Sequence, residues 1–570
     1  MENLRHGLLK YGWTSGLILV LGFLIVYPIL MLLYGSMSTG NPVTGNLGHQ
    51  LSIKAFLDVV VDPGVLRATW NTLVVCFGGT LLAVCFGLFF SWVTARTNTP
   101  FRKTIEAVSI MPLLIPPLVA GIAWSILGSP KTGMINVLLN VLGLDWEINF
   151  YSSWGIIVIF GIYYAPYVYM FTSSALKNMD PALEEAAAIS GVSTFKTIFN
   201  ITFPLILPAI IAGTMLSFVV MLGIYGIPAV LGTPAKINVL TTYIYELISG
   251  APPLYNKAAA TSIILIAVTA VAVMIQQRML KGKSFVTVSG KAFKPRLIDL
   301  GRWKYLTFSI SFIYLILAVI LPTFALLVGS FRNFLYIPNI ESVFDPSAYS
   351  FTHFARLFSN SLTLLSLVNT LKIGVITAVV GGLISFAIGY TVYRTKLPFR
   401  NFIDIVSTLP IAIPGLVIGI AYLWAWISLP GGIYGSIWIL ALAFVARFIP
   451  DTVKSLSTSL MQVHKELEEA SFICGQGLLT TIRKIILPLI APGLISSMSL
   501  LFILSIRELG SSLFLYSSST LPMSVLLVNL YEGGDIGVTA AFSVVQTLIL
   551  VVVVLFTTIV ARNMSITSKV

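Results

Sequence analysis

Apolar runs long enough to cross a lipid bilayer recur from one end of this chain to the other, and nothing else constrains its fold as much. A helix rises 1.5 Å per residue, so roughly 20 apolar residues cross the hydrocarbon core. Measured with that ruler, spans fall near residues 14–36, 67–93, 105–127, 154–175, 205–231, 258–279, 306–329, 363–391, 403–428, 434–454, 488–515 and 537–560. Only 10% of the 570 residues are charged, against roughly 25% in soluble proteins. A water-soluble domain, a disordered chain and a secreted disulfide scaffold are thereby excluded. The expected fold is an all-α polytopic membrane protein of about twelve transmembrane helices. The first run, Thr14 to Leu33, follows Arg5 and Lys10. It is too long for a signal-peptide core and no small-x-small site follows, so it reads as an uncleaved anchor.

The formal charge of +13 does not point to nucleic acid, because the basic residues lie between apolar runs and form no stripe. They report orientation instead. With the N-terminus inside, 24 of the 34 Lys and Arg fall in cytoplasmic segments, eight of them between Arg278 and Lys304. Both termini are therefore expected in the cytoplasm. Cys76, Cys85 and Cys474 show no metal spacing and read as small core residues.

The chain also repeats itself. A shift of 298 places Asn71-Thr72-Leu73 on Asn369-Thr370-Leu371, and Arg96 through Ala123 on Arg394 through Ala421 with 16 of 28 positions identical. Arg96/Arg394, Pro112/Pro410, Pro116/Pro414 and Gly121/Gly419 are among them. Further on the offset becomes 284, aligning Glu184-Glu185-Ala186 with Glu468-Glu469-Ala470 and Gly191 with Gly475. The 14-residue difference belongs in the external loop after the third span of each half, where length changes are tolerated. An even number of spans per half makes the repeats parallel, related by an axis along the membrane normal. The chain thus divides into a first half, 1–280, with a cytoplasmic loop at about 176–204; a basic linker, 281–304; and a second half, 305–570, with the matching loop at about 456–488. Gly282-Lys283-Ser284 in the linker imitates the end of a phosphate-binding loop, but Gln277 occupies the upstream glycine position and no strand precedes it.

The two matching loops carry the most specific pattern. Glu185-Ala186-Ala187 is followed by Gly191, and Glu469-Ala470-Ser471 by Gly475; from that glycine to Pro204 or Pro488 is 13 residues in both. Such a stretch predicts a short Ala- and Glu-rich helix, a glycine turn, and an amphipathic helix entering the bilayer at proline. This pattern resembles the EAA loop of type I binding-protein-dependent ABC importer permeases, over both halves from about Asn71 onward. Ser471 and Phe203 are mild departures. The resemblance implies that Glu184, Glu185, Ala186, Gly191, Glu468, Glu469, Ala470 and Gly475 couple the chain to two copies of an ATP-binding subunit. It implies further that ATP and Mg are bound by those partners and no cofactor by this chain, and that an extracytoplasmic binding protein delivers the substrate. The place is a bacterial cytoplasmic membrane, with the lipid bilayer as solvent. Both halves in one chain, and Leu504 to Gly510, resemble the ferric-iron importers; thiamine and aminophosphonate importers share the build.

Charged residues within spans are costly and call for separate weighing. Glu106 and Asp404 coincide under the 298 shift at the start of a span, where an acid complements the helix dipole. Arg447 reads as a snorkelling or paired arginine at the cytoplasmic end of its span. Arg507 and Glu508 replace Gly223 and Ile224 of the first half, which makes them either pathway residues or a structural ion pair. Glu508 with Tyr225 and Tyr516 offers oxygen contacts to a hard cation, with no metal site firmly assigned. For an organic substrate, Tyr163, Tyr164, Tyr167 and Trp424 supply an aromatic lining. An ion-coupled transporter needs midplane carboxylates, and an enzyme needs a nucleophile or metal cluster. His6, His49, His353 and His464 are isolated, and neither class fits.

Overall fold

In a computed structural model of the protein, residues 2–43, 51–130, 132–180, 182–280, 297–334, 345–427, 429 and 432–567 are described. Among them, nine helices are long and apolar enough to cross a membrane: Tyr11–Met37, Pro63–Arg96, Ser153–Asn178, Phe195–Leu222, Tyr255–Leu280, Trp303–Phe331, Ser361–Arg394, Leu478–Ile506 and Ile536–Val560. Two bent pairs bring the number to eleven, Arg102–Leu114 with Pro117–Gly128 and Arg400–Ala412 with Gly415–Trp426. The expected tenth span falls on Ile437–Gln462, a helix made less apolar by Arg447, Asp451 and Lys454. Apart from isolated bridges, no strand occurs among the described residues.

The repeat seen in the sequence governs the helices. Pro63–Arg96 maps onto Ser361–Arg394 and Pro117–Gly128 onto Gly415–Trp426 with the 298 offset. Ser153–Asn178 maps onto Ile437–Gln462, and Ala182–Ile189 onto Glu466–Ile473, with 284. The 14 residues lie where expected, between Gly128 and Ser153, and carry an additional helix, Met134–Val141.

Three sequence expectations need correction. The runs at 105–127 and 403–428 are not straight spans; they bend by 97° and 113°. Pro112, Pro116 and Pro117, and Pro410 and Pro414 opposite, remove amide donors and clash with the preceding turn, which ends the helix. The runs at 205–231 and 488–515 likewise divide. Each long helix stops at Leu222 or Ile506 and the chain continues as Gly226–Leu231 or Ser512–Leu515. Of the cysteines only Cys76 is in the core; Cys85 and Cys474 are exposed. Residues 281–296, most of the basic linker, lie outside the described residues, and Ile298 beyond them docks on the first half, donating to the Arg96 carbonyl at 2.8 Å.

Each recurring residue has a mechanical task. Asn71 Nδ2 donates to the Asn238 carbonyl at 2.9 Å, and Thr72 Oγ1 accepts from Leu240 N at 2.8 Å. Asn369 donates to the Ser519 carbonyl at 2.9 Å, and Thr370 Oγ1 accepts from Met523 N at 2.8 Å. The pair therefore staples the segment after the short helix to the long helix of its own half. Gly121 faces Val230 and the Gly226 carbonyl, and Gly419 faces the Ser511 backbone, with no room for a side chain at the latter. The first span of each half crosses over to the other half. Tyr27 OH donates to the Ala425 carbonyl at 3.1 Å, Tyr422 OH to the Leu24 carbonyl at 2.7 Å, and Tyr314 OH to the Ile162 carbonyl at 2.8 Å.

A β-carbon on Gly419 would lie 2.8 Å from the Ser511 carbonyl oxygen, whereas one on Gly477 meets nothing within 4 Å. Gly419→Val is therefore expected to destabilise the folded protein by about 1–3 kcal/mol, and Gly477→Ala to leave it unchanged. Thermal unfolding of the two variants in detergent, side by side, checks the difference.

Candidate functional site

Two places combine recurring residues with exposed or unsatisfied chemistry. The first is the pair of loops at the basic end of the bundle. Glu184 and Glu185 occupy the first turn of Ala182–Ile189, and Glu468 and Glu469 that of Glu466–Ile473, where an acid suits the helix dipole. The adjacent glutamates face opposite ways. Glu185, Ala186, Glu469 and Ala470 are exposed, while Glu468 is buried and Glu184 half-buried. Gly191 and Gly475 each end their helix with φ +75°, the left-handed turn expected of a C-terminal glycine. Beside the outward glutamates stand bare apolar side chains, with Ile189 88% and Ile473 86% exposed.

The inward glutamates have partners that sequence reasoning left unassigned, although the repeat alignment carried them. Arg394 holds Glu468 through both Nε, at 2.8 Å, and Nη2. Its Nη1 donates to the Val463 carbonyl at 2.7 Å, and Tyr390 OH donates to Glu468 Oε2 at 3.1 Å. In the first half the equivalent pair is looser. Arg96 Nε lies 3.5 Å from Glu184 Oε1, which also accepts from Thr202 at 2.8 Å. Arg96 is fully buried, and none of its three guanidinium nitrogens has a hydrogen-bond partner among the described residues. Both latches tie a loop helix to the end of the long helix leading to the bend. Glu106 does not cap its helix; it is ion-paired with Lys177 at 2.5 Å.

The second place is a cavity between the two halves. A cavity of about 60 Å³ is lined by Pro116–Leu118 and Gly223–Gly226 of the first half and by Arg447, Arg507–Gly510, Ser524 and Gln546 of the second. Arg447 is not at the basic end of its helix. It lies about 15 Å from the opposite end at helical rise and donates to Glu508 Oε1 at 2.5 Å. The same oxygen accepts from Ser511 N at 3.0 Å and Ser511 Oγ at 2.9 Å. The partner of Glu508 is thus Arg447 and not its neighbour Arg507. Arg447 rests on Gly415, where a β-carbon would lie 1.1 Å from Nη1 and the guanidinium would have to move.

Of the expected pathway residues, Arg507, Glu508 and Tyr225 meet at this cavity. Tyr516 stands apart, in the electrostatic neighbourhood of Tyr245 and Tyr434. Tyr225 and Tyr245 rings are 5.0 Å apart. Burial pushes the Tyr245 phenol up to about 12, and the Glu532 charge adds to the effect. Burial also raises the Glu532 carboxyl above the usual range, opposed by a hydrogen bond from Tyr245. Tyr163, Tyr164 and Trp424 are buried, and Trp424 packs over Gly35. They line no part of the axial cavity.

The profile of the family described as "Binding-protein-dependent transport system inner membrane component" matches residues 83–283 and 381–565. The chain is 25% identical over 550 residues to the ferric transport system permease protein FbpB of Actinobacillus pleuropneumoniae, covering 96% of this chain and 77% of that protein. It is 23% identical over 523 residues to the Fe(3+)-transport system permease protein FbpB 2 of Haemophilus influenzae, covering 90% and 91%. The molybdenum transport system permease protein ModB of Escherichia coli is 31% identical over 223 residues, 94% of its length but 38% of this chain. That protein thus aligns with fewer residues than one half of this chain holds.

The two latches are expected to respond unequally to the same substitution. Arg394→Met strands a buried Glu468 carboxylate and should cost about 3–5 kcal/mol. Arg96→Met removes only a 3.5 Å ionic contact and leaves Glu184 its bond from Thr202, and should cost distinctly less. Denaturation of both variants in detergent measures the contrast.

Proposed function

The chain belongs to the family of binding-protein-dependent transport system inner membrane components, and on that premise we propose that it is the ferric-iron permease of its importer. It is a multi-pass ABC importer permease. Similarity over nearly the whole chain to ferric transport permeases carries the iron reading. Two copies of an ATP-hydrolysing subunit bind the loops at 176–204 and 456–488, one each, and this chain hydrolyses nothing. Outward Glu185 and Glu469, with Ala186 and Ala470, meet the ATPase. Gly191 and Gly475 set the turn that transmits its closure. Inward Glu184 and Glu468 pass the movement through Arg96 and Arg394 to the bends at Pro116 and Pro414. The loops and both termini face the cytoplasm of a bacterium, and an extracytoplasmic binding protein delivers iron at the opposite end.

Along the axis, Glu508 and Tyr225, with Tyr516 nearer the delivery end, give transient oxygen contacts suited to a hard cation. Tight coordination would stop release. A second reading, an aminophosphonate as substrate, is favoured by one observation: Arg507 at the cavity has no ion-paired or hydrogen-bonded partner among the described residues, and guanidinium suits a phosphonate.

Three outcomes are expected. Vesicles carrying the whole complex should accumulate labelled iron with ATP, and neither thiamine nor aminoethylphosphonate; accumulation of an organic compound without iron would overturn the iron assignment. Charge reversal of Glu185 and Glu469 together should abolish uptake and binding-protein-stimulated ATP hydrolysis while the chain still inserts. Reporter fusions after Lys177 and within 281–304 should read cytoplasm, and fusions within 38–66 outside; an external signal at the linker contradicts the two-repeat topology.

A further inference from the structure

Two guanidinium groups and one carboxylate line the axial cavity. Arg447 and Arg507 bring two positive charges and Glu508 one negative, and the Glu508 oxygen facing Arg447 is already occupied by that guanidinium and by Ser511. The half-helix Pro117–Gly128 begins at the cavity wall, with Pro116 at its N-cap. Its first-turn amides at Leu118 and Val119 have no intrahelical acceptor and present the positive end of the helix dipole. Broken membrane helices that aim their N-termini at a midplane site are suited to anions.

Two further observations are independent of the helix end. Arg507 is half-buried, lines the cavity and has no ion-paired or hydrogen-bonded partner among the described residues. Gln546, 2% exposed, lines the same cavity with its Oε1 unpartnered. A carboxamide at that place accepts from a protonated oxyanion or, turned about its last torsion, donates to a deprotonated one. The first half offers no counter-charge, because Gly223 and Ile224 stand where the second half has Arg507 and Glu508.

We propose that this cavity is an oxyanion site formed by Arg507, Gln546 and the Leu118 amide, and that ferric iron crosses it as an anion-bearing complex. The anion neutralises part of the ion's charge, is held by Arg507 in the constriction, and leaves with the metal. The iron half of this statement rests on the function proposed above; the oxyanion half rests on the cavity alone.

The experiment uses the complete complex in proteoliposomes, with its binding protein loaded with labelled iron in the presence or absence of 33P-labelled inorganic phosphate. Iron and phosphate are expected to enter together with ATP, and iron uptake to fall at least tenfold without an oxyanion. Arg507→Gln is expected to lower iron uptake tenfold or more, and Arg507→Lys to retain a substantial part. Assembly of each variant is checked by co-purification of the ATPase subunits. If Arg507→Gln does not assemble, Gln546→Leu, which keeps the volume and removes the amide, is expected to lower uptake several-fold. Iron uptake that is undiminished without oxyanion, or unaltered in whichever variant assembles, overturns the oxyanion site. Phosphate uptake with no iron in any arm overturns the iron reading and leaves the oxyanion site standing.

Discussion

Inside a bilayer no water is at hand to satisfy a backbone group freed from its helix, and the architecture follows from that constraint. The prolines at 112, 116, 117, 410 and 414 break two spans and release amides and carbonyls at membrane depth. Such backbone is tolerated only where protein covers it, so both bends must lie at the centre of the bundle and both half-helices must be buried. Every residue from Leu118 to Gly128 and from Gly415 to Trp426 is buried. The glycines facing them, Gly226 and Gly510, permit backbone to touch backbone. Irregular main chain and the pseudo-two-fold axis coincide because the lipid leaves no other place for the former.

Around this frame the two halves have diverged in chemistry while keeping their geometry. Under the 284 offset Tyr163 stands opposite Arg447, Tyr167 opposite Asp451, and Gly223 and Ile224 opposite Arg507 and Glu508. The ionised groups on the cavity wall all belong to the second half, and the first half meets them with Pro116, Pro117, Leu118 and residues 223–226. Two unit charges 4 Å apart interact by about 4 kcal/mol at an effective dielectric near 20. A guanidinium without an ion-paired partner among the described residues therefore weighs heavily on any charged group in the cavity. The loops show the same division, a fully bonded latch at Arg394 and an under-bonded one at Arg96.

Much of this was legible in the residues. Span positions followed from hydrophobicity, the repeat from Arg96 to Ala123, and the glycine turns from the fixed distance to Pro204 and Pro488. Hydropathy could not see the bends, because Pro117–Gly128 is as apolar as a straight span. The prolines were visible, but their consequence depends on what packs against them. The division of adjacent glutamates into one tied and one free was hidden for a similar reason. Helical phase separates Glu184 from Glu185, and only the position of Arg96 tells which is inward. Arg447 is paired, one of its two expected states, but distance along its own helix could not point to Glu508, 61 residues away. Gln546 gave no signal at all, being a lone amide in an apolar run whose meaning depends on the cavity beside it.

The crossing of the first spans alters what the linker is for. Tyr11–Met37 lies on the broken span of the second half through Tyr27 and Tyr422, and Trp303–Phe331 packs on that of the first while Tyr314 bonds to Ile162 of the adjacent helix Ser153–Asn178. Each half is therefore clasped by an arm of the other, and severing residues 281–304 would leave them gripping. The peptide connection fixes stoichiometry at synthesis, giving one charged half for each aromatic half. Two charged halves facing each other would place two unpaired arginines on one axis, and fusion makes that homodimer inaccessible.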